Sequence, residues 1–355
     1  MRCSVVRIPT GSPSDVTALL AAVEDGSIDP KDVVAVLGKT EGNGCVNDFT
    51  RGYAVRALSD FFASRIGEDA SRISYVMSGG TEGVLSPHLT VISRKHGTTG
   101  APATGAKSLA IGVRHTRNFL PEEIGRTAQI EAVAEAVREA IAEAGIESAA
   151  DVHFVQIKCP LLTTDALREA KARGVQPATE DTYKSMGLSR GASALGAAAA
   201  LGEVDGAALT DEDVCHAWEK YSEVASTSAG SELSCCEVIV FGNSAKAEGP
   251  FFIEHGVMKD AIDGGALRRL LEAHPGAELA QVLAKAEADP EGVVRGRRHT
   301  MLNDSDINHT RHARAVVGGV LAYVSGDPMI YVSGGAEHQG PAGGGPVAAI
   351  FKRTE

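Results

Sequence analysis

The chain has 355 residues, 43% of them hydrophobic, and a formal net charge of −12 at pH 7. This length and apolar content can bury a large core, while the acidic balance argues against binding to nucleic acid or to anionic membranes. No apolar run reaches the roughly 20 residues of a membrane span, and the first residues lack the apolar segment of a signal peptide. We therefore expect a globular protein of the cytoplasm.

The cysteine pattern agrees with that compartment. None of the six cysteines forms a C-x-x-C pair, and the only close pair is the adjacent Cys235 and Cys236. Such spacing is typical of reduced thiols and not of a disulfide framework or a zinc site.

The first third of the chain predicts four strands and two helices. Apolar residues at helical spacing favour a helix over 14–24, and a second helix is expected to open at Arg51. A glycine-rich turn, "SGGTEG", begins at Ser78 after the third strand. The strands are predicted in "CSVVRI", "VVAVLGKTE", "ISYVM" and "HLTVIS".

The same order of elements recurs twice. The middle third predicts a helix over 121–144, a second helix opening at Arg190, a strand that ends in the turn at Ser228, and strands in "SLAIGV", "VHFVQIKCP" and "CEVIVFG". The last third predicts a helix over 259–273 and strands in "FFIEHGV", "LAQVLAKAE", "MIYVS" and "PVAAIF". Its second helix is assigned to Arg314 in preference to Arg311, because small and apolar residues follow Arg314 as they follow Arg190.

The repetition predicts an α+β (α/β) protein of three units with pseudo-threefold symmetry. The units are expected at 1–105, 106–250 and 251–355, and we refer to them as the first, middle and third units. Each would contain a β-sheet with helices, and the three would surround one central active site.

Every unit repeats a lysine, an arginine and a serine at corresponding places. A serine becomes a nucleophile when a base removes its proton, and a desolvated lysine near other cations can be that base. Arginine offers forked donors to carbonyl groups, and glycine turns free backbone N–H groups for a substrate oxygen. Three such sets suit a small flat ligand with three similar edges, such as an s-triazine trione. The residues are Lys39, Arg51 and Ser78; Lys158, Arg190 and Ser228; and Lys285, Arg314 and Ser333.

Simpler interpretations apply to several motifs. A single lysine at a strand end is usually solvated, and a single glycine turn is usually a hairpin. The stretch "LGKT" lacks a phosphate-loop glycine because Val33 stands at that position. His309 and His312 have no evident third metal ligand, and Cys159 is typical of buried packing.

Longer segments resemble the cyanuric acid hydrolase/barbiturase family. The segments "VLGKTEGNGCVNDFTR", "MSGGTEGVLSPH", "HFVQIKCPLLT", "MGLSRGASALG", "VVRGRRHTMLNDSDINHTRHARA" and "YVSGGAEHQGPAGGGP" are similar to its signatures and are spread over all three units. The resemblance implies three pseudo-equivalent domains around one site, with the middle pair doing the chemistry. It makes Ser228 the nucleophile and Lys158 its general base.

The resemblance also implies binding roles and a metal site. It suggests a homotetramer and no organic cofactor, with a structural Mg²⁺ or Ca²⁺ in the third unit, whose oxygen ligands suit a hard cation. The implied metal-site residues are Glu287, Ala336, Gln339, Gly340, Pro341 and Gly344. The implied substrate-binding residues are Arg51, Arg190, Arg314, Ser78, Ser333, Gly79, Ala229, Gly334, Lys39 and Lys285.

Three hypotheses about function follow. The first is a hydrolase that opens cyanuric acid to carboxybiuret, which decarboxylates to biuret. The second is a barbiturase that opens barbiturate to ureidomalonate; it needs a site that tolerates CH₂ in place of one ring N–H. The third is a non-catalytic binder of small imides, which would not require a base beside each serine.

Overall fold

The computed structural model describes residues 1–95 and 106–354. The predicted unit boundary at residue 105 lies outside the described residues, and the one at residue 250 falls between two strands. Fourteen strands and seven α-helices are assigned within the described residues.

The first unit contains β1 (Arg2–Pro9), α1 (Thr17–Glu24), β2 (Val33–Thr40), α2 (Phe49–Ile66), β3 (Ser74–Gly79) and β4 (His88–Lys95).

The other two units repeat this order. The middle unit contains β5 (Ser108–His115), α3 (Thr127–Ala144), β6 (Val152–Pro160), α4 (Thr164–Ala172), α5 (Thr182–Leu201), β7 (Ala225–Gly230) and β8 (Glu237–Ser244). The third unit contains β9 (Phe251–Met258), α6 (Gly265–Ala273), β10 (Ala277–Ala286), β11 (Val293–Val294), β12 (Arg297–Arg298), α7 (His309–Ser325), β13 (Tyr331–Gly334) and β14 (Gly345–Arg353). The sequence analysis did not predict α4 or the short β11–β12 ribbon.

Each unit forms one four-stranded sheet with the same strand order. The orders are β1-β4-β2-β3, β5-β8-β6-β7 and β9-β14-β10-β13. In every sheet the lysine-bearing strand (β2, β6 or β10) is parallel to the serine-bearing strand (β3, β7 or β13). The last strand of each unit (β4, β8 or β14) is antiparallel to both of its neighbours. The predicted architecture of three sheet-and-helix units is therefore confirmed.

A β-bulge marks the same place in all three sheets. The pairing register slips at Val34, His153 and Ala280, five residues before the lysine of each unit. A bulge adds local twist and re-aims the residues that follow it. The lysine-bearing ends of the three strands are thus shaped alike.

Asx caps fix where the arginine-bearing helices begin. The side chains of Asp48, Asp181 and Asn308 accept hydrogen bonds from backbone N–H groups of α2, α5 and α7. The prediction that the arginine opens each helix holds for α2 and is wrong for α5 and α7. Those helices begin at Thr182 and His309, well before Arg190 and Arg314, because the cap residues precede the arginines by several positions.

The first helix of each unit is also shorter than predicted. The N-terminal residues of 14–24 and 259–273 form turns, and in 121–144 a 3₁₀ turn precedes the α-helix. Gly125, with φ of 80°, separates that turn from α3. Buried Ile130, Val133 and Val137 of α3 show the expected helical spacing.

The hydrophobic core has two levels. Within each unit, one face of the sheet packs against its helices. A further cluster joins the three sheets to one another, with members such as Leu37, Phe154 and Leu283 from the three units. All nine residues of β6 are buried, which explains its nearly continuous apolar sequence. The ends of the central strands consequently meet in the middle of the molecule.

Among the described residues, no helix is long and apolar enough to cross a membrane.

Candidate active site

Parallel strand pairing places the lysine beside the serine in every unit. The lysines lie on β2, β6 and β10, and the serines lie on the parallel neighbours β3, β7 and β13. The register of these strand pairs places each lysine directly opposite a serine. The pairs are Lys39 and Ser78, Lys158 and Ser228, and Lys285 and Ser333. All six residues are buried.

The three lysines tie the units into a closed ring. Each ammonium or amine group donates a hydrogen bond to the backbone carbonyl just before the serine of another unit. A buried carbonyl of this kind needs a partner, so the ring satisfies groups that would otherwise be orphaned. The bonds run from Lys39 to Val332 (2.7 Å), from Lys285 to Thr227 (2.7 Å) and from Lys158 to Met77 (3.2 Å).

Burial controls the lysine charges. Desolvation lowers the pKa of Lys39 and Lys285 well below the ordinary value, and the nearest arginines, Arg314 and Arg190, lower it further. Burial also lowers the pKa of Lys158, and the Glu232 carboxylate opposes that effect, as Glu82 does at Lys39 and Glu337 does at Lys285. All three amines are therefore easier to deprotonate than a surface lysine.

Two of the three arginines are held by glutamates from the neighbouring unit. Arg190 donates to Glu337 through two hydrogen bonds (2.6 and 2.8 Å), and Arg314 does the same with Glu82 (2.6 and 2.9 Å). Such bidentate pairs fix the plane of the guanidinium.

The third arginine lacks a bidentate carboxylate partner. Arg51 donates to the carbonyls of Ala229 (3.0 Å) and Cys45 (2.7 Å), while Asp48 lies 3.8 Å from its Nε. That Nε is buried and has no hydrogen-bond partner among the described residues. Arg51 is thus the least neutralised of the three.

Positive-φ glycines let two guanidinium groups lie against the turns. Gly80 has φ of 105°, and a Cβ there would lie 2.5 Å from Nε of Arg314. Gly335 has φ of 83°, and a Cβ there would lie 2.5 Å from Nε of Arg190. Both the backbone conformation and the close approach require glycine.

One cavity collects the predicted substrate-binding groups. The serines, the arginines and the residues that follow the serines line this cavity. The three lysines lie next to the serines and are not part of its lining. Its lining comprises Arg51, Ser78, Gly79, Arg190, Ser228, Ala229, Arg314, Ser333 and Gly334, together with Gly44, Met77, Met186. The cavity offers hydroxyl and guanidinium donors from three directions.

The middle pair differs from the other two. Lys39 and Lys285 each donate to the hydroxyl of their own serine at 3.2 Å. Nζ of Lys158 instead lies 3.1 Å from a carboxylate oxygen of Glu232. Ser228 Oγ is buried and makes no hydrogen bond among the described residues. The middle serine is therefore the one whose hydroxyl is uncommitted.

The residues of the predicted metal site lie beside this cavity, with Glu287 directly after β10 and the other five in the loop between β13 and β14. The Glu287 carboxylate accepts the backbone N–H of Ala336 (3.2 Å), and Gln339 Oε1 accepts that of Thr227 (2.7 Å). The remaining members, Gly340, Pro341 and Gly344, contribute only backbone groups. A carboxylate, an amide and several carbonyl oxygens are the donors a hard cation prefers, so the residues fit such an ion chemically.

A glutamate stands four residues after each serine, and the sequence analysis gave it no role. The structure shows that Glu82, Glu232 and Glu337 are the carboxylates that pair with the site's cations. Their threefold recurrence was the signal. Glu237, half-buried opposite Lys158 on β8, has no such recurrence, since the corresponding residues are His88 and Pro346.

Residues 4–352 match the family described as "Amidohydrolase ring-opening protein". The chain belongs to this family.

Its relatives and structural neighbours cover the full length. A cyanuric acid amidohydrolase of Bradyrhizobium diazoefficiens is 55% identical, with 99% of this chain and 98% of the relative aligned. One of Rhizobium johnstonii is 56% identical over 100% and 99% of the two chains. A solved cyanuric acid hydrolase, described as an innovation by structural concatenation, superposes with a TM-score of 0.95 at 53% identity over 99% of each chain. The repeated architecture fits that description.

Proposed function

We propose that this protein hydrolyses cyanuric acid by serine catalysis at the middle unit. The observation that carries the proposal is the uncommitted Ser228 hydroxyl in a cavity ringed by three serines and three arginines. The names of the full-length relatives support the substrate.

The arginines and the outer serines would bind the ring. Arg51, Arg190 and Arg314 would donate to carbonyl oxygens at three edges. Ser78 and Ser333 would add hydroxyl contacts, with their lysines, Lys39 and Lys285, holding them in place. Backbone N–H groups near Gly79, Ala229 and Gly334 would stabilise negative charge on an attacked carbonyl.

Lys158 and Ser228 would carry the bond changes. Neutral Lys158 would take the proton of Ser228 as its oxygen attacks a ring carbonyl carbon. The ring C–N bond then breaks, and the leaving nitrogen takes the proton from Lys158. Water, deprotonated by the same amine, would release the acyl group as carboxybiuret, which loses CO₂ to give biuret.

Substitution of the serines tests this assignment. Ser228→Ala should lower kcat by at least about 10³-fold, because no nucleophile remains. Ser78→Ala should lower kcat/KM by roughly 10- to 100-fold, since one contact to the substrate is lost. The comparison uses purified enzyme and the loss of cyanuric acid absorbance. Near-normal kcat in the Ser228 variant would overturn the proposal.

A comparison of kcat/KM for two substrates tests the choice of cyanuric acid. Measured kcat/KM for cyanuric acid should exceed that for barbiturate, which has CH₂ in place of one ring N–H. A reversed order would make the enzyme a barbiturase, and no ring opening of either compound would leave an imide-binding role.

We also propose that the loop around Glu287 holds a structural Mg²⁺ or Ca²⁺. The Glu287 carboxylate, the Gln339 amide oxygen and backbone carbonyl groups of the loop would bind it; the loop residues are Ala336, Gly340, Pro341 and Gly344. Adding either cation to chelator-treated protein should raise Tm, and Glu287→Gln should abolish that rise. An equal rise in both proteins would contradict the site.

Assembly as a homotetramer is a further proposal. Phe49 and Tyr53 stand one turn apart on α2 and are 83% and 59% exposed, which is unusual for large apolar side chains. Light scattering should give four times the mass of the chain; the mass of one chain would contradict it.

A further inference from the structure

Two of the three glutamates that follow the site serines pair with an arginine of another unit, and the third does not. Arg314 of the third unit binds Glu82 of the first, and Arg190 of the middle unit binds Glu337 of the third. The same pattern around the pseudo-threefold arrangement would pair Arg51 of the first unit with Glu232 of the middle unit. Glu232 instead pairs with Lys158 at 3.1 Å.

The alternative pairing lies within reach of the same side chains. Arg51 already donates to the carbonyl of Ala229, in the turn that carries Glu232. Nε of Arg51 is buried, makes no hydrogen bond among the described residues and has its nearest ion-pair carboxylate, Asp48, at 3.8 Å. A buried charged donor without a hydrogen bond is unfavourable. Glu232 folds back over Gly230, where a Cβ would lie 2.2 Å from its Oε2. The carboxylate contacts Lys158, and the charge of Arg51 acts on it as well.

We propose that Glu232 is a positioning residue with two partners, binding Lys158 while that amine carries its proton and turning to Arg51 when the proton is lost. The inference rests on the proposed role of Lys158 as the base. It agrees with the observation that Ser228, alone of the three serines, is not bonded to its lysine: the Lys158 amine contacts Glu232 and the Met77 carbonyl instead. Once neutral, Lys158 is free to accept the Ser228 proton, and the pair Glu232–Arg51 completes the threefold pattern.

The charged groups around Lys158 agree with this exchange. Burial opposes ionisation of Glu232, yet Lys158 and Arg51 together lower its pKa to about 2, so the carboxylate stays charged. Burial raises the pKa of Glu237, on the adjacent strand, to about 7; Lys158 opposes this rise, and Glu232 adds to it. Cys159 follows Lys158 on β6, and burial raises its pKa, so the thiol stays neutral. Glu232 is thus the principal permanent counter-charge of Lys158.

The pH dependence of kcat/KM tests the proposal, because it reports ionisations of the free enzyme. Glu232→Gln removes the carboxylate that favours the ammonium, which lowers the pKa of Lys158. The acidic limb of the profile should move to lower pH by about 1 to 3 units. Glu232→Asp, which keeps the charge, should return the limb toward its wild-type position.

Glu82→Gln and Glu337→Gln are matched controls, because those glutamates hold arginines in the other units. These control variants should have a raised KM and an unchanged acidic limb. Ionisation of the substrate affects the profiles of all the variants equally, so it does not alter the comparison. An unmoved limb in Glu232→Gln, with Ser228→Ala inactive, would overturn this inference and leave the proposed function standing. Activity in Ser228→Ala would overturn both.

Discussion

At the scale of the residue, identical side chains in equivalent places make different contacts. Lys39, Lys158 and Lys285 occupy the same strand position, yet only Lys158 is paired with a carboxylate. The sequence predicted the positions of the lysines because the strand pattern repeats. It could not predict their partners, because a flexible amine can reach several acceptors, and the packing of the folded units decides which of them it contacts.

His153 introduces a titratable ring where the other units are apolar. It is the bulge residue of β6, equivalent to Val34 and Ala280, and its Nδ1 lies 2.8 Å from Nδ1 of His255 in the third unit. Burial, with some help from His255, lowers the pKa of His153 to about 4. The unfolded chain therefore binds a proton between about pH 6.5 and 4 that the folded chain does not, and stability falls as the pH falls through that window.

His153→Val should remove part of this acid sensitivity. From its pKa shift, His153 alone should lower the free energy of unfolding by about 2 kcal/mol between pH 7 and pH 5. Urea unfolding at the two pH values should show a smaller difference for the variant than for the wild type. His216→Gln, at an exposed ring, is the control and should behave as wild type. An unchanged pH difference in His153→Val would refute the argument.

At the scale of the element, the repeat predicted which segments are strands more reliably than where the helices begin. Strands such as β2 and β6 are apolar runs bounded by polar turns, and that pattern is local. Helix starts depend on Asp48, Asp181 and Asn308 accepting backbone N–H groups, and many other polar residues nearby could have served as caps. The predicted helix starts were accordingly displaced by up to several residues.

Helix α7 shows how packing decides the effect of a small residue. Its neighbours Gly318 and Gly319 have the same helical backbone but different surroundings. A Cβ on Gly318 would lie 2.7 Å from Cγ of Leu85 in the first unit, whereas one on Gly319 meets nothing within 4 Å. The first glycine is required by the contact between units, and the second is not.

Alanine at these two positions should therefore act in opposite directions. Gly318→Ala should reduce the free energy of unfolding by about 1–3 kcal/mol, since the core has no room for a methyl group. Gly319→Ala should increase it by about 0.5–1 kcal/mol, since alanine restricts the unfolded chain and favours the helix. Urea denaturation of the pair provides the measurement. Equal effects of the two substitutions would show that contact with Leu85 does not set the difference.

At the scale of the whole molecule, the three units depend on one another for their interior. The lysine ring carries hydrogen bonds from every unit to another, and the inter-sheet cluster mixes side chains from all three. The sequence predicted a common centre from the triplication of Lys, Arg and Ser. It did not indicate which unit each side chain would reach, because that depends on the handedness of the closed arrangement.

This interdependence predicts a single unfolding transition. Trp218, the only tryptophan, stacks on His338 at 5.6 Å between ring centroids, so its fluorescence reports the contact of the middle and third units. Far-UV circular dichroism reports all three sheets, and the two urea midpoints should coincide. Leu37→Ala, in the first unit's part of the shared cluster, should lower both midpoints together through a loss of about 2–5 kcal/mol. If the Trp218 transition stayed in place while the dichroism changed, the units would be unfolding separately.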